Sequence, residues 1–126
     1  SDQANLDAAN RWFVDVYARI VARLKATPEG EGNVLDSTAA IFMMEGGKGL
    51  SPDAQRSGDG GADPNHSVDN AVAFLAGRVG GLAPGQHLNL TGQDLHPSRV
   101  ITTAYQALGL EPTLGEISGA IEALFG

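Results

Sequence analysis

A polar segment of 26 residues, Glu45 to Asn70, separates the two most apolar runs of the chain. The run before it, Thr38 to Met44, and the run after it, Ala71 to Gly77, are apolar and too short for typical helices. Continuous apolar runs of this length are typical of strands that are covered on both faces, as in a parallel sheet. A long segment without periodicity is usually functional or disordered rather than a simple connector. The pattern therefore predicts two buried strands and a long polar loop over residues 45–70.

Three other segments have the signs of α-helices. From about Asn5 to Ala26, apolar residues recur at spacings of three and four, so that they share one face. From about Pro97 to Leu108, the proline suits a first turn and Gly109 suits the stop. Thr113 and Glu116 have the spacing of a capping box and predict a last helix. The predicted apolar faces consist of Leu6, Ala9, Phe13, Val16, Tyr17, Ile20 and Leu24 in the first helix, and of Leu114, Ile117, Ile121 and Leu124 in the last.

The order of these elements predicts an α/β fold, with a small, mostly parallel sheet and flanking helices. Between the second strand and the second helix the chain reads as turns, with one short extended piece around Gln86 to Leu90. A sheet of two or three strands has long unprotected edges. We therefore expect residues 1–126 to be a single α/β domain, or the C-terminal fragment of a larger domain, that contacts the rest of a larger polypeptide or forms a homo-oligomer.

Composition excludes several classes of partner. The net charge is −7, whereas nucleic acids and anionic membranes attract basic surfaces. No apolar run approaches the roughly 20 residues that span a bilayer, so we expect no membrane insertion. The absence of cysteine excludes disulfides, a thiol nucleophile and a thiolate zinc site.

The stretch GDGGADPNHSVDN, Gly58 to Asn70, admits two interpretations. Its three aspartates offer oxygen ligands for calcium, and His66 with a carboxylate offers ligands for zinc. Equally, Gly, Asp, Asn and Pro are the ordinary residues of turns, which favours a solvated connection. His87 and His96 would join His66 only if their loops converge, and His96 beside Pro97 also suits a local role at the start of a helix.

Five stretches carry a resemblance to a known group of proteins. They are RWFVDVYARIVARLKATPEGEGNVLDSTAAIFMMEGG, NHSVDNAVAFLAG, GGLAPGQHL, HPSRVITTAYQALGL and LGEISG, and they run in this order along nearly the whole chain. In these stretches the chain resembles the C-terminal part of exported bacterial proteins of unknown function that are built on the alkaline phosphatase/sulfatase fold. The resemblance implies a secreted or periplasmic location.

The resemblance also implies metal ligands at Glu45 and His66, with Asp69 beside them, for a divalent metal such as zinc, manganese or calcium. Two departures limit what it implies. The Asp-His pair that usually follows the strand is replaced by EGGKG, and the nucleophile and acidic ligands of the N-terminal half have no counterpart in these 126 residues. The chain therefore carries no complete catalytic site.

Three functional hypotheses follow. In the first, the chain is a non-catalytic C-terminal portion of a secreted alkaline-phosphatase-like protein, acting in packing, binding or assembly. In the second, it contributes metal ligands to a metal-dependent phosphatase- or sulfatase-type hydrolase site that a missing segment completes. In the third, it is a binding module stabilised by calcium. We expect the first, with Trp12 taking part in packing or in contact with a missing domain half.

Overall fold

The computed structural model of the chain describes residues 2–44, 71–93 and 95–126. The predicted polar loop 45–70 lies outside the described residues. The helices are α1 (Asp2–Ala26) and α2 (Arg99–Ala107). The strands are β1 (Pro28–Glu29), β2 (Gly32–Asn33), β3 (Ala40–Met43), β4 (Ala73–Ala76), β5 (Thr113–Leu114) and β6 (Ile117–Ser118). Short 3-10 turns are formed by Val34–Ser37, Val79–Gly81 and Glu122–Phe125.

Helix α1 confirms the first predicted helix and begins three residues earlier, at Asp2. Asp2 lies in the first turn, and Arg23 and Lys25 lie in the last, where each charge complements the helix dipole. The helix ends before Pro28 because a proline disfavours helical backbone at the residue that precedes it. At this end the Thr27 hydroxyl donates a hydrogen bond to the Arg23 carbonyl oxygen at 2.7 Å.

A tight hairpin then turns the chain back against α1. Strands β1 and β2 pair antiparallel, and the Val34 N–H donates to the Thr27 carbonyl oxygen at 2.9 Å. The Asp36 carboxylate accepts a hydrogen bond from the Asn33 N–H at 3.0 Å, which fixes the start of the Val34–Ser37 turn. The Ser37 hydroxyl also donates to the Glu29 carboxylate. This turn is the segment that packs most extensively against α1.

Both predicted strands exist, but the prediction of a mostly parallel, layered α/β sheet is wrong. Strands β3 and β4 pair antiparallel, with Phe42 opposite Phe74 and Ala40 opposite Ala76. Among the described residues, each sheet contains two antiparallel strands, and β3–β4 is the longest. The continuous apolar runs misled the prediction because an antiparallel strand that is partly covered on both faces has the same sequence signature as a parallel one. The extended piece predicted around Gln86 to Leu90 is not a strand.

Helix α2 confirms the second predicted helix and forms one side of a small core. Two adjacent threonines on it, Thr102 and Thr103, are fully buried, and both hydroxyls bind the C-terminal segment. Thr102 Oγ1 donates to the Gly119 carbonyl oxygen at 2.6 Å, and Thr103 Oγ1 accepts from the Ile121 N–H at 2.8 Å. The buried apolar residues of the described chain surround this contact; they are Leu82, Ala104, Ala107, Ala120 and Ile121.

The predicted last helix is wrong. Residues Thr113–Ser118 form the β5–β6 hairpin, in which Thr113 pairs with Ser118 and Leu114 with Ile117. Gly115 turns this hairpin with a φ of 61°, and Gly119 follows it with a φ of 88°. A helix through this region would carry both glycines in its interior at a cost of about 1 kcal/mol each. The capping-box spacing was therefore a coincidence, and the two glycines were the stronger signal.

Two glycines bring backbone segments closer together than a side chain would allow. Gly77, at the end of β4, has a φ of 120°, and a Cβ there would overlap the Thr38 carbonyl group. Gly80 has a φ of 60°, and a Cβ there would overlap the Ala107 carbonyl group at the end of α2. The segment 77–81 therefore contacts the α1–β3 part of the chain at one end and α2 at the other.

We predict that Gly80→Ala destabilises the protein much more than Gly81→Ala. Both positions have a positive φ, but nothing lies within 4 Å of a Cβ at Gly81. Gly81→Ala should cost about 1–2 kcal/mol for the left-handed backbone alone. Gly80→Ala adds the overlap with Ala107 and should cost more than about 3 kcal/mol in total. Urea unfolding followed by circular dichroism measures both, and equal losses would contradict the close approach at Gly80.

A second prediction concerns Thr103. Replacing it by valine keeps the shape but leaves the buried Ile121 N–H without its acceptor, which should cost roughly 1–3 kcal/mol. Thr103→Ser is the matched control, because it keeps the hydroxyl and loses one methyl group at about 0.8 kcal/mol. The same unfolding measurement compares the two variants. A valine variant as stable as the serine variant would show that the hydroxyl does not hold the C-terminal segment.

Candidate interaction surface

The predicted metal ligands Glu45, His66 and Asp69 lie outside the described residues. Within residues 2–44, 71–93 and 95–126, no three His, Asp or Glu side chains come close enough together to hold a metal ion. His87 is exposed. His96 precedes α2, and its Nδ1 accepts a hydrogen bond from the Ser98 N–H at 3.1 Å. The structure therefore gives His96 the local role that its position beside Pro97 suggests.

A shallow groove of about 470 Å³ lies beside the start of α2. Its polar lining includes His96 and Arg99 from the α2 side, and Glu116 and Ser118 from the β5–β6 hairpin. One cation and one carboxylate face the same open space, so the groove has no dominant charge with which to select an anion or a cation.

Three aromatic rings join α1 to the β3–β4 hairpin. Phe42 and Phe74 are direct cross-strand partners whose ring centroids lie 5.8 Å apart. Tyr17 of α1 packs on both, with centroid distances of 5.5 Å to Phe42 and 6.2 Å to Phe74. The Tyr17 hydroxyl donates to the Ala40 carbonyl oxygen at 2.8 Å, so the ring is held at its polar end as well. This cluster fixes the second half of α1 against the sheet.

Four large apolar residues of α1 outside this cluster are more than half exposed. Trp12 is 60% exposed, Leu6 55%, Ile20 52% and Phe13 51%. Trp12 and Phe13 contact each other edge to face, with ring centroids 5.1 Å apart. No residue of α1 is buried, although the helix has 25 residues. We call Leu6, Trp12, Phe13 and Ile20 the exposed face of α1, in which Trp12 lies at the edge, about 100° around the helix from Phe13.

Both signs of charge occur along α1, with Arg11 and Asp15 near its middle. Asp2 and Asp7 lie near the N-terminal end, and Arg19, Arg23 and Lys25 lie near the C-terminal end. Asp7 also accepts a hydrogen bond from the Gln3 amide at 2.9 Å, one turn away on the same helix. An open groove of about 430 Å³ runs along the basic half, lined by Val16, Arg19, Ile20, Arg23 and Leu24. The exposed face therefore continues into a groove with a basic rim.

Sequence reasoning found the apolar face of α1 but not how much of it stays uncovered. Of the predicted apolar positions, Val16, Tyr17 and Leu24 are partly buried, whereas Leu6, Phe13 and Ile20 are exposed. The feature of the sequence that could have indicated this exposure is the length of the predicted helix. A helix of 25 residues extends about 37 Å, which is longer than the short strands and turns that pack against it. Neither described helix has the length and hydropathy needed to cross a membrane.

Tyr17 generates a prediction about alkaline pH. Burial raises the pKa of its phenol above the ordinary value of 10.0, and the Ala76 backbone opposes part of that shift. Because the neutral form is favoured in the folded protein, this stabilisation is complete below about pH 10 and is lost as the pH rises through the raised pKa. Unfolding free energies measured across this range should fall more steeply for the native chain than for Tyr17→Phe. Equal slopes would contradict the burial of this phenol.

Comparison of the chain with protein-family models, with curated proteins and with solved structures found no match. A proposal for the function therefore rests on the geometry of the chain itself.

Proposed function

We propose that the chain is a non-catalytic portion of a larger protein or assembly, and that it acts in packing, binding or assembly through the exposed face of α1. One observation carries this proposal: four large apolar side chains on one helix, two of them in mutual contact, are each more than half exposed. Scattered exposed apolar residues are ordinary, but two exposed aromatic rings in contact, with two more large exposed apolar side chains on the same helix, are typical of a surface that another molecule covers.

The energetics favour the same conclusion. Covering a large apolar side chain completely contributes about 1.5–3 kcal/mol, so four half-exposed side chains leave several kcal/mol unrealised in the isolated chain. The buried core beside α2 consists of small residues and one leucine and one isoleucine. The described residues therefore bury few large apolar side chains completely, and a covering partner would add to that burial.

The alternative hydrolase function has no supporting observation among the described residues. Its ligands Glu45, His66 and Asp69 lie outside them, and the mostly parallel α/β sheet that the order of the elements predicted is not present among the described residues. The resemblance itself, and the secreted or periplasmic location it implies, stay predictions from the five quoted stretches. A divalent metal at residues 45–70 likewise stays a prediction.

The proposal predicts that the purified chain hydrolyses neither a chromogenic aryl phosphate nor an aryl sulfate. The assay is run with zinc, manganese or calcium added, because each is a metal that the sequence suggests. The reason is that the nucleophile and the N-terminal acidic ligands that the resemblance implies for such hydrolysis have no counterpart in these 126 residues. Turnover that rises with protein concentration and disappears in a His66→Ala variant would overturn the non-catalytic assignment.

A further inference from the structure

We infer that Asn89 of the folded chain is an acceptor site for N-linked glycosylation, with the glycan taken from a sugar that is activated as a diphosphate ester. The site lies in the irregular segment between β4 and α2. It shares no residue with the exposed face of α1 and is therefore independent of the proposed function. Three observations support it: the residue pattern, the exposure of the reacting side chains, and the turn that holds them.

The residue pattern is Asn89-Leu90-Thr91. N-glycosylation requires an asparagine that is followed two residues later by serine or threonine, with any residue except proline between them. Three residues match such a pattern often by chance, so the pattern alone does not make a site. A second match, Asn65-His66-Ser67, lies outside the described residues and gives no structural support.

The structure leaves both polar side chains of the pattern accessible. Asn89 and Thr91 are exposed, whereas Leu88 and Leu90 beside them are partly buried. The two leucines therefore hold the segment on the protein while the asparagine and the threonine face solvent. No helix or strand includes residues 82–93, so a transferase would not have to break regular backbone pairing to reach the amide.

Two consecutive turns present the asparagine. The Asn89 Oδ1 accepts a hydrogen bond from the Thr91 N–H at 3.1 Å, which forms an Asx turn. A second turn follows at once, in which the Gln93 N–H donates to the Leu90 carbonyl oxygen at 3.2 Å. Gly92, the third residue of the second turn, has a φ of 80°, the value that a type II turn requires there. The acceptor pattern is therefore held in one compact conformation.

The Asx turn also affects the chemistry of the amide. A hydrogen bond to Oδ1 draws electron density from the amide group, so a proton leaves Nδ2 more easily. Among the described residues, the Asn89 side chain makes no other hydrogen bond, which leaves Nδ2 accessible to a transferase. In the transfer, a bond forms between Nδ2 and C1 of the sugar, and the C1–O bond to the diphosphate breaks. The diphosphate leaves with the electron pair, and the Nδ2 proton passes to a base of the transferase.

Two kinds of donor supply a sugar activated in this way. One is an oligosaccharide linked through a diphosphate to a lipid, and the other is a sugar linked through a diphosphate to a nucleoside. Both donors form the same bond to Nδ2 and release a diphosphate ester, so the geometry at Asn89 serves either of them.

Glycan transfer in vitro to the folded full chain tests the site. Every chain carries Asn65→Gln, which removes the second match, and intact-protein mass spectrometry counts the glycans added. In one arm a soluble N-glycosyltransferase uses UDP-glucose, and in the other a purified oligosaccharyltransferase uses a lipid-linked oligosaccharide. We expect one glycan on most chains in at least one arm, and the reacting arm identifies the donor. No addition in either arm, beside a fully modified acceptor peptide, would overturn the inference.

Variants of Thr91 distinguish a specific acceptor from adventitious transfer. Thr91→Ala should lose nearly all of the addition, because the pattern requires the hydroxyl. Thr91→Ser is the matched control and should keep most of the addition, since it retains that hydroxyl. Thr91 is exposed, so we expect both variants to fold. Equal addition to the alanine and serine variants would contradict the assignment of Asn89 as the acceptor.

Gly92→Ala tests the contribution of the turn, because it leaves the three-residue pattern intact. Alanine is strained at a φ of 80°, although nothing lies within 4 Å of the added Cβ. The rate of transfer should therefore fall about tenfold. Gly85→Ala is the matched control: Gly85 has a φ of 85° and the same open space, but it lies outside the two turns, so its rate should equal the native one. Equal rates for the two variants would contradict the role of the turn.

Discussion

The close approach of backbone at Gly77 and Gly80 is the constraint on which the rest of the fold depends. Gly77 lies against Thr38 and Leu35, and Gly80 lies against Ala107, in each case where a Cβ would overlap main-chain atoms. The Arg78 N–H, between them, donates to the Leu35 carbonyl oxygen at 3.4 Å. Because one short segment touches both parts of the chain through main-chain atoms, the register of β4 against β3 and the position of α2 are fixed together.

This arrangement divides the apolar residues unequally. The C-terminal part gains a small core in which two threonine hydroxyls satisfy buried backbone groups, so little side-chain volume is needed there. The N-terminal part has larger side chains but less to cover them: the aromatic cluster of Tyr17, Phe42 and Phe74 holds only the second half of α1. Among the described residues, the strands and turns that contact α1 are shorter than the helix, and they leave the exposed face uncovered.

The sequence predicted the helices correctly where the periodic pattern was long. It predicted the fold incorrectly where the structure depended on how strands pair. Period and capping located α1 and α2 to within a few residues. The direction of β3 against β4 could not be predicted, because an apolar run has the same composition in either direction and the 26 residues between the runs permit both. Thr113 and Glu116 have the spacing of a helix start, but Gly115 and Gly119 adopt the positive φ angles of the hairpin that forms instead. Of the exposed face, Leu6, Phe13 and Ile20 were predicted as apolar positions of the helix and Trp12 was not. Their exposure could not be predicted, because exposure depends on which other elements reach them.

Little tertiary contact among the described residues supports the first half of α1. The partly buried residues of α1 are Asn10, Val16, Tyr17, Val21 and Leu24. Four of the five lie in its second half, so the first half has almost no tertiary contact with the described chain. Isolated helices shorter than about 12–15 residues are marginal in water, and this half is no longer than that. A partner that covers Leu6 and Phe13, as the proposed function requires, would stabilise the same residues that would otherwise fray. Helix order and association are then one equilibrium: whatever removes the partner should loosen the N-terminal turns before it affects the glycine contacts or the core beside α2.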